Sequence, residues 1–171
     1  MLVPSMFLGA ESSIYSEPKS KIVEITTSGQ HIRTIQHDPV DNKQLFDQPR
    51  LICTNINGDI IVTENAKAVA VTQRGHKRFV YHAEGTQLKY LFNPECIVID
   101  KHGLIIISDY YNSLVHVLEK DGKFIQYMIT QEQGCGRQIG LDLDDHGRLS
   151  VCNDEKQEIK IIKICEKQYA T

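Results

Sequence analysis

The sequence lacks close pairs of cysteines. Its five cysteines are separated by 43, 39, 17 and 13 residues along the chain: Cys53, Cys96, Cys135, Cys152 and Cys165. Tetrahedral zinc sites usually draw their ligands from close cysteine pairs, so this spacing excludes a zinc module of that kind. An odd number of cysteines without a framework spacing favours reduced thiols in a cytoplasmic protein, with Cys53 and Cys96 as small core residues.

The sequence also lacks an excess of positive charge and a long apolar run. It has 19 Lys and Arg residues against 22 Asp and Glu residues, a net charge of −3. This balance excludes a general electrostatic attraction to nucleic acid or to an acidic membrane. No stretch is apolar over the length needed to cross a bilayer. Residues 1–10 are apolar but contain Pro4 and no basic residue, so they predict a strand rather than a signal peptide.

Motifs of catalytic and metal-binding sites are missing or incomplete. The sequence has no G-x-S-x-G motif that would place a nucleophilic serine. Residues 142–147 resemble the start of a calcium loop, but Asn153 stands where that loop requires a bidentate glutamate. This segment therefore predicts a hairpin turn. We expect no catalytic residues, no cofactor and no metal site in the chain.

Short apolar runs separated by turn residues dominate the rest of the chain. The clearest example is 94–128, where four runs rich in β-branched and aromatic residues cover 97–99, 104–107, 114–118 and 124–128. Asp, Asn, Lys and Gly residues separate these runs, as expected for strands joined by turns. Runs this short that are apolar on both faces predict strands buried between two layers.

The same pattern repeats along the chain. Pro49 precedes Pro94 by 45 residues, Gly58 precedes Gly103 by 45, and Gly147 follows Gly103 by 44. The residues that begin the second break of each unit also match: Glu64, Asp109 and Asn153. Matching residues in the third run are Ile25, Val71, Val117 and Ile161. We divide the single region 1–171 into units at about 1–48, 49–93, 94–136 and 137–171. A period near 45 with four short strands in each unit predicts propeller blades rather than a helical solenoid.

The third unit has the most regular pattern of turn and apolar residues: Pro94, Ile97, Asp100, Gly103, Ile105, Ile107, Asp109, Asn112, Val115, Val117 and Gly122. This pattern resembles the NHL repeat. The first unit lacks the hairpin glycine, and in the fourth unit Asn153 replaces the acidic residue. The resemblance implies an all-β, NHL-type β-propeller region of about four blades, each of four antiparallel strands. Six blades, the usual number in the family, would need about 270 residues, so we expect a partial propeller.

The resemblance also implies a function. Similar propellers end tripartite-motif proteins, whose RING and B-box modules lie upstream and would carry any ubiquitin ligase activity. We expect this chain to be the non-catalytic part that binds a protein partner or ubiquitylation substrate, with a genuine C-terminus and a truncated N-terminus. The alternative is sequence-specific binding of single-stranded RNA, which some NHL propellers perform. A propeller lyase or hydrolase would need a polar or metal-binding cluster in its central channel, which the sequence does not predict.

One rim of the predicted propeller should carry the binding residues. Loops from the second strand to the third share that rim with the loops between blades, and aromatic and arginine side chains are typical of peptide hot spots and of RNA sites. The predicted partner-binding residues are Arg50, Lys67, Tyr110, Tyr111, Arg137 and Lys156, with Lys19 from the first unit. Acidic neighbours dilute the charge of this rim and favour a protein over RNA: Glu64, Asp109, Asp154 and Glu155. We also expect at least one of the two tyrosines to be exposed.

Overall fold

The computed structural model describes residues 20–85, 88–130 and 136–164. These residues form thirteen β-strands and no helix. The strands are β1 Ile22–Ile25, β2 His31–Ile35, β3 Leu51–Thr54, β4 Ile60–Glu64, β5 Lys67–Val71, β6 Lys77–Tyr81, β7 Pro94–Ile99, β8 Ile105–Asp109, β9 Leu114–Leu118, β10 Phe124–Ile129, β11 Gln138–Leu143, β12 Arg148–Asn153 and β13 Glu158–Lys163. The strand predicted at 1–10 lies outside the described residues. Within the described residues there is no helix long and apolar enough to cross a membrane.

The strands pair in four antiparallel sheets that follow one another along the chain. Sheet I contains β1 and β2, sheet II β3 to β6, sheet III β7 to β10, and sheet IV β11 to β13. Within each sheet, a strand pairs with its neighbours in sequence, because a short turn joins two antiparallel strands without a crossover. The prediction of an all-β, antiparallel fold is confirmed.

Apolar layers between consecutive sheets form the core. Sheets I and II bury a layer that includes Ile35, Phe46, Val62 and Val69. Sheets II and III bury Ile61, Ala70, Ile97, Ile105 and Ile107, and sheets III and IV bury Ile106, Val115, Leu141, Leu149 and Val151. Strands β4 and β8 are buried along their whole length. They are therefore covered on both faces, as their uninterrupted apolar sequences predict.

The pairing register corrects one correspondence in the predicted repeat. The sequence aligns Val71 with Val117, but Ile60 pairs with Val71 and its equivalent Ile105 pairs with Leu118. Leu118 is thus the true counterpart of Val71. A shift of one residue moves a side chain to the opposite face of a strand. Val71 accordingly packs against sheet I, whereas Val117 pairs with Ile106, which packs against sheet IV.

A buried polar residue closes β4, β8 and β12. These residues are Glu64, Asp109 and Asn153, which are at most 2% exposed. The backbone N–H of Asp47 donates to Glu64 Oε1 at 2.8 Å, and that of Asn93 donates to Asp109 Oδ1 at 3.2 Å. Both donors precede the first strand of their sheet. The equivalent Asn153 differs, since its Oδ1 accepts the N–H of Lys156 in the turn after β12.

The hairpin glycines adopt the predicted left-handed conformation. Gly58, Gly103 and Gly147 have φ values of 81°, 88° and 71°. Each donates its N–H to a carbonyl three residues earlier, on Asn55, Asp100 and Asp144. The segment that resembles a calcium loop is therefore the β11–β12 hairpin turn.

Two other glycines allow a test of how closely sheets II and III pack. Gly29 and Gly122 have nearly equal φ values of 83° and 88°. A Cβ added to Gly29 would meet nothing within 4 Å, whereas one added to Gly122 would lie 2.3 Å from the ring of Phe79. We expect Gly29→Ala to lower the free energy of unfolding by about 1 kcal/mol through its backbone conformation. Gly122→Ala should cost about 1 to 3 kcal/mol more, because of the clash with Phe79.

Chemical denaturation of the two variants measures this difference. The backbone strain is common to both, so the difference between them reports the contact between Gly122 and Phe79. Equal losses of stability would contradict the close packing of this hairpin on sheet II.

Candidate functional site

One edge of the stacked sheets gathers the predicted binding residues. This edge, called here the link rim, contains the turns after β4, β8 and β12 and the residues just before β3, β7 and β11. Arg50 precedes β3, Lys67 begins β5, and Tyr110 and Tyr111 follow β8. Arg137 precedes β11 and Lys156 lies in the turn after β12. Lys19 lies outside the described residues.

Tyr110, Tyr111 and Arg137 lie together at the junction of sheets III and IV. The two tyrosine rings are 5.6 Å apart in an edge-to-face arrangement. The guanidinium carbon of Arg137 lies 5.3 Å from the centroid of the Tyr110 ring, within the range of a cation–π contact. Tyr111 is 55% exposed, in agreement with the prediction that at least one tyrosine is exposed. The contact with Arg137 leaves Tyr110 only partly exposed.

Two exposed residues that the sequence analysis did not select lie beside the turn that contains Tyr110 and Tyr111, called here the tyrosine turn. Tyr90 is 52% exposed and Leu91 is 81% exposed. Asn112 holds the backbone of Tyr90, since its Oδ1 accepts the N–H of Tyr90 at 2.8 Å and its Nδ2 donates to the Tyr90 carbonyl at 3.1 Å. The sequence signal was weak because Tyr90, Leu91 and Phe92 are consecutive, and Phe92 is only 3% exposed. Pattern alone cannot tell which of three adjacent apolar residues faces water.

A buried network supports the tyrosine turn from below. Asp109 accepts a hydrogen bond from Asn112 Nδ2 at 2.8 Å, and its Oδ2 lies 3.4 Å from His116 Nε2. The other ring nitrogen of His116 is 2.8 Å from the hydroxyl of Tyr81. His116 is fully buried, and aromatic rings surround it at 5.0 to 6.0 Å: Tyr81, Phe92, Phe124 and Tyr127. It is therefore a core histidine, and it links the core to the rim through Asp109.

Arg50 and Lys67 are both engaged in ion pairs of their own. Arg50 contacts Glu95 at 2.7 Å and donates to Asn93 Oδ1 at 3.2 Å. Lys67 contacts Asp47 at 2.6 Å and the buried Glu64 at 3.0 Å. Burial lowers the pKa of Lys67, but the hydrogen bonds that its ammonium donates to the carboxylates of Asp47 and Glu64 outweigh this effect, so its pKa is raised overall. Both residues brace the links between sheets.

The charges of the link rim largely cancel. Arg137 contacts Glu155 at 3.3 Å, which adds a fourth ion pair to the one of Arg50 and the two of Lys67. Lys156 lies beside Asp154 and Glu155 in sequence. Phosphate backbones bind where several cations point toward one groove without carboxylates between them. The described part of this rim instead presents aromatic and aliphatic surface among balanced charges.

Two of the three described cysteines pack against the apolar core. Cys53, Cys96 and Cys152 are free thiols, and Cys53 and Cys96 pack against the core layers on either side of sheet III. Burial raises the pKa of Cys53 to about 12, which makes its thiolate scarce at neutral pH. Across the described ranges, no group of three or more His, Cys, Asp or Glu side chains is placed to hold a metal ion.

Comparison with known proteins finds similarity in structure rather than in sequence. No protein-family model and no curated protein sequence matches the chain. Among solved structures, virginiamycin B lyase from Staphylococcus aureus matches over 85% of this chain and 49% of its own, with 18% identity and a TM-score of 0.54. A streptogramin B lyase matches over 85% of this chain and 48% of its own, with 16% identity and a TM-score of 0.54. These are β-propellers. This chain has the propeller fold.

A third structure extends the likeness beyond lyases. PorZ, a surface component of the type-IX secretion system of Porphyromonas gingivalis, matches over 81% of this chain and 20% of its own, with 16% identity and a TM-score of 0.60. All three identities are below 20%, so they concern the fold alone. The chain spans about half the length of the lyases it matches. Its sheets are therefore propeller blades, and the described residues correspond to part of the ring.

Proposed function

We propose that this chain is a non-catalytic recognition module that binds a protein partner through the link rim. One observation carries the proposal: Tyr90, Leu91 and Tyr111 are exposed side by side around Asn112, next to the stacked pair of Tyr110 and Arg137. Large rigid aromatic side chains with an arginine are the residues most enriched at protein-binding hot spots. An ordered turn that holds them in place lowers the entropy lost on binding.

A protein partner fits this surface better than RNA. Arg50, Lys67 and Arg137 each contact a carboxylate, and RNA phosphates would have to displace those contacts. Two neighbouring exposed tyrosines could stack on bases. RNA binding must therefore be distinguished experimentally from protein binding. Two similar structures are lyases. The proposal of a non-catalytic role rests on the missing nucleophile motif.

We propose further that the blades are of the NHL type and belong to a tripartite-motif-like protein of the cytoplasm. Residues of the repeat have structural roles that explain their pattern: Gly103 has a φ of 88°, and Asp109 holds the link before β7 and the turn after β8. In such a protein this chain would select the ubiquitylation substrate. The ligase activity would belong to RING sequence elsewhere in a longer chain.

Peptide selection tests the binding face directly. Peptides are selected from a random displayed library on the chain, and their affinities are measured for the chain and for Tyr111→Ala and Arg137→Ala. We expect each substitution to weaken binding at least tenfold, which corresponds to about 1.4 kcal/mol. Val40→Ala is the control, because Val40 is 81% exposed and lies away from the link rim. Its neighbour Asp38 accepts the N–H of Lys77 at the edge of sheet II opposite that rim. This control should bind normally.

Two outcomes would contradict the proposal. Peptides whose affinity neither rim substitution changes would place the binding face elsewhere. A pool of single-stranded RNA that binds at micromolar affinity at physiological salt, and loses binding with Tyr111→Ala, would establish the RNA alternative.

A further inference from the structure

Two blade faces, one at each end of the series of sheets, are apolar and uncovered. On sheet IV, Ile159 and Ile161 of β13 are 69% and 66% exposed. On sheet I, Val23 and Ile25 of β1 are 45% and 57% exposed, and Ile32 of β2 is 51% exposed. Single exposed aliphatic residues are ordinary, but several on one sheet face mark an interaction surface.

The exposed residues on the open face of sheet IV occupy the same positions as residues of sheet III that pack on the next sheet. Ile161 pairs with Ser150, just as Val117 pairs with Ile106 in sheet III. Ile159 likewise corresponds to Val115. In sheet III these positions are completely buried, and they belong to the face that packs on sheet IV. The face with Ile159 and Ile161 is therefore built to receive a following blade.

The open face of sheet I has the positions that cover the preceding sheet. Val23 pairs with Thr34, just as Val69 pairs with Val80 in sheet II. Val69 is 2% exposed and packs against sheet I. Val23 and Ile25 thus form the kind of face that the preceding blade would cover.

We propose that sheet IV of one copy packs on sheet I of a second copy of this chain. The three junctions inside the chain each join a face of the sheet IV type to a face of the sheet I type. Among the described sheets, the outer faces of sheet IV and sheet I stay uncovered. A second copy would cover the sheet IV face with a sheet I face, which is the pairing that each internal junction uses. A junction between unlike faces is heterologous and can continue from copy to copy.

The association should be reversible. Asp142 and Ser150 occupy the positions on sheet IV that Val98 and Ile106 occupy in sheet III, as their pairings show. These polar residues reduce the apolar area of the new junction relative to the internal ones. We therefore expect association that strengthens with concentration, as in transient interfaces. It uses neither Tyr111 nor Arg137, so it is independent of the proposed binding rim.

Sedimentation velocity on two face variants tests the head-to-tail arrangement. One variant carries Ile159→Lys and Ile161→Lys, and the other carries Val23→Lys and Ile25→Lys. We expect the unsubstituted chain to gain mass with concentration and each variant to remain at the monomer mass of 19.4 kDa. An equimolar mixture should form a pair of twice that mass and nothing larger, because each variant keeps one intact face. Val40→Lys, at an 81% exposed position off both faces, should associate like the unsubstituted chain.

Three results would overturn this inference. The first is an unsubstituted chain that stays monomeric across the concentration series. The second is a variant that still associates with itself, and the third is a mixture that stays monomeric, since like faces would then be pairing. Circular dichroism establishes that each variant is folded. If a double variant does not fold, Ile161→Lys and Ile32→Lys replace the two double variants in the same mixing experiment.

Discussion

Replacing Asp109 with alanine is expected to lower the free energy of unfolding by about 3 to 5 kcal/mol. The carboxylate is completely buried and accepts hydrogen bonds from the N–H of Asn93 and from Asn112 Nδ2. Alanine would leave both donors without this partner and would remove the carboxylate beside His116. Urea denaturation measures the change. Because Asn112 also holds Tyr90, peptide binding at the link rim should weaken in the fraction that remains folded.

The chain itself suggests the matched control for this change. Asn153 occupies the same position in sheet IV, and its Oδ1 accepts the N–H of Lys156 at 3.1 Å. An amide can therefore serve at this position, so Asp109→Asn should cost about half as much as Asp109→Ala. If the two variants were equally unstable, the charge rather than the accepted hydrogen bonds would be essential. A fully stable Asp109→Ala variant would contradict the role of Asp109 in holding the link.

Ile105→Ala is expected to lower the free energy of unfolding by about 2 to 5 kcal/mol. Ile105 is completely buried in the layer between sheets II and III, where it pairs with Ile99 on one side and Leu118 on the other. Truncation would remove apolar contacts and leave a cavity between two sheets that other strands hold in place. Thermal or chemical denaturation measures the loss.

Ile52→Ala is the control for the core substitution. It makes the same chemical change in a strand, but Ile52 is 57% exposed, so its loss of stability should be below about 1 kcal/mol. An Ile105→Ala variant with an unchanged denaturation midpoint would show that the pairing register of sheets II and III is wrong.

The candidate site could be predicted in part from its turn residues. Tyr110 and Tyr111 follow Asp109 in a short turn, and such a turn cannot bury both rings. The proximity of Arg137 to Tyr110 depends on the packing of sheet IV against sheet III. A local sequence pattern cannot predict this packing. Tyr90 and Leu91 were missed because a link without periodicity does not show which residues face water. Likewise, sequence could place Arg50 and Lys67 at the rim but could not show that carboxylates already engage them.

By itself, the sequence determined the strands, their order and the hairpin turns, because these depend on local alternation of apolar runs and turn residues. The tight turns can be recognised from their glycines, Gly58, Gly103 and Gly147, since few other residue types adopt such φ values. Tertiary structure decided that Leu118, rather than Val117, is the counterpart of Val71. It also decided which N–H groups donate hydrogen bonds to Glu64 and Asp109. It also decided which apolar faces remain open, such as that of Ile159 and Ile161. These features depend on contacts between residues far apart in the chain, and a one-residue change in loop length reverses the face that a strand presents.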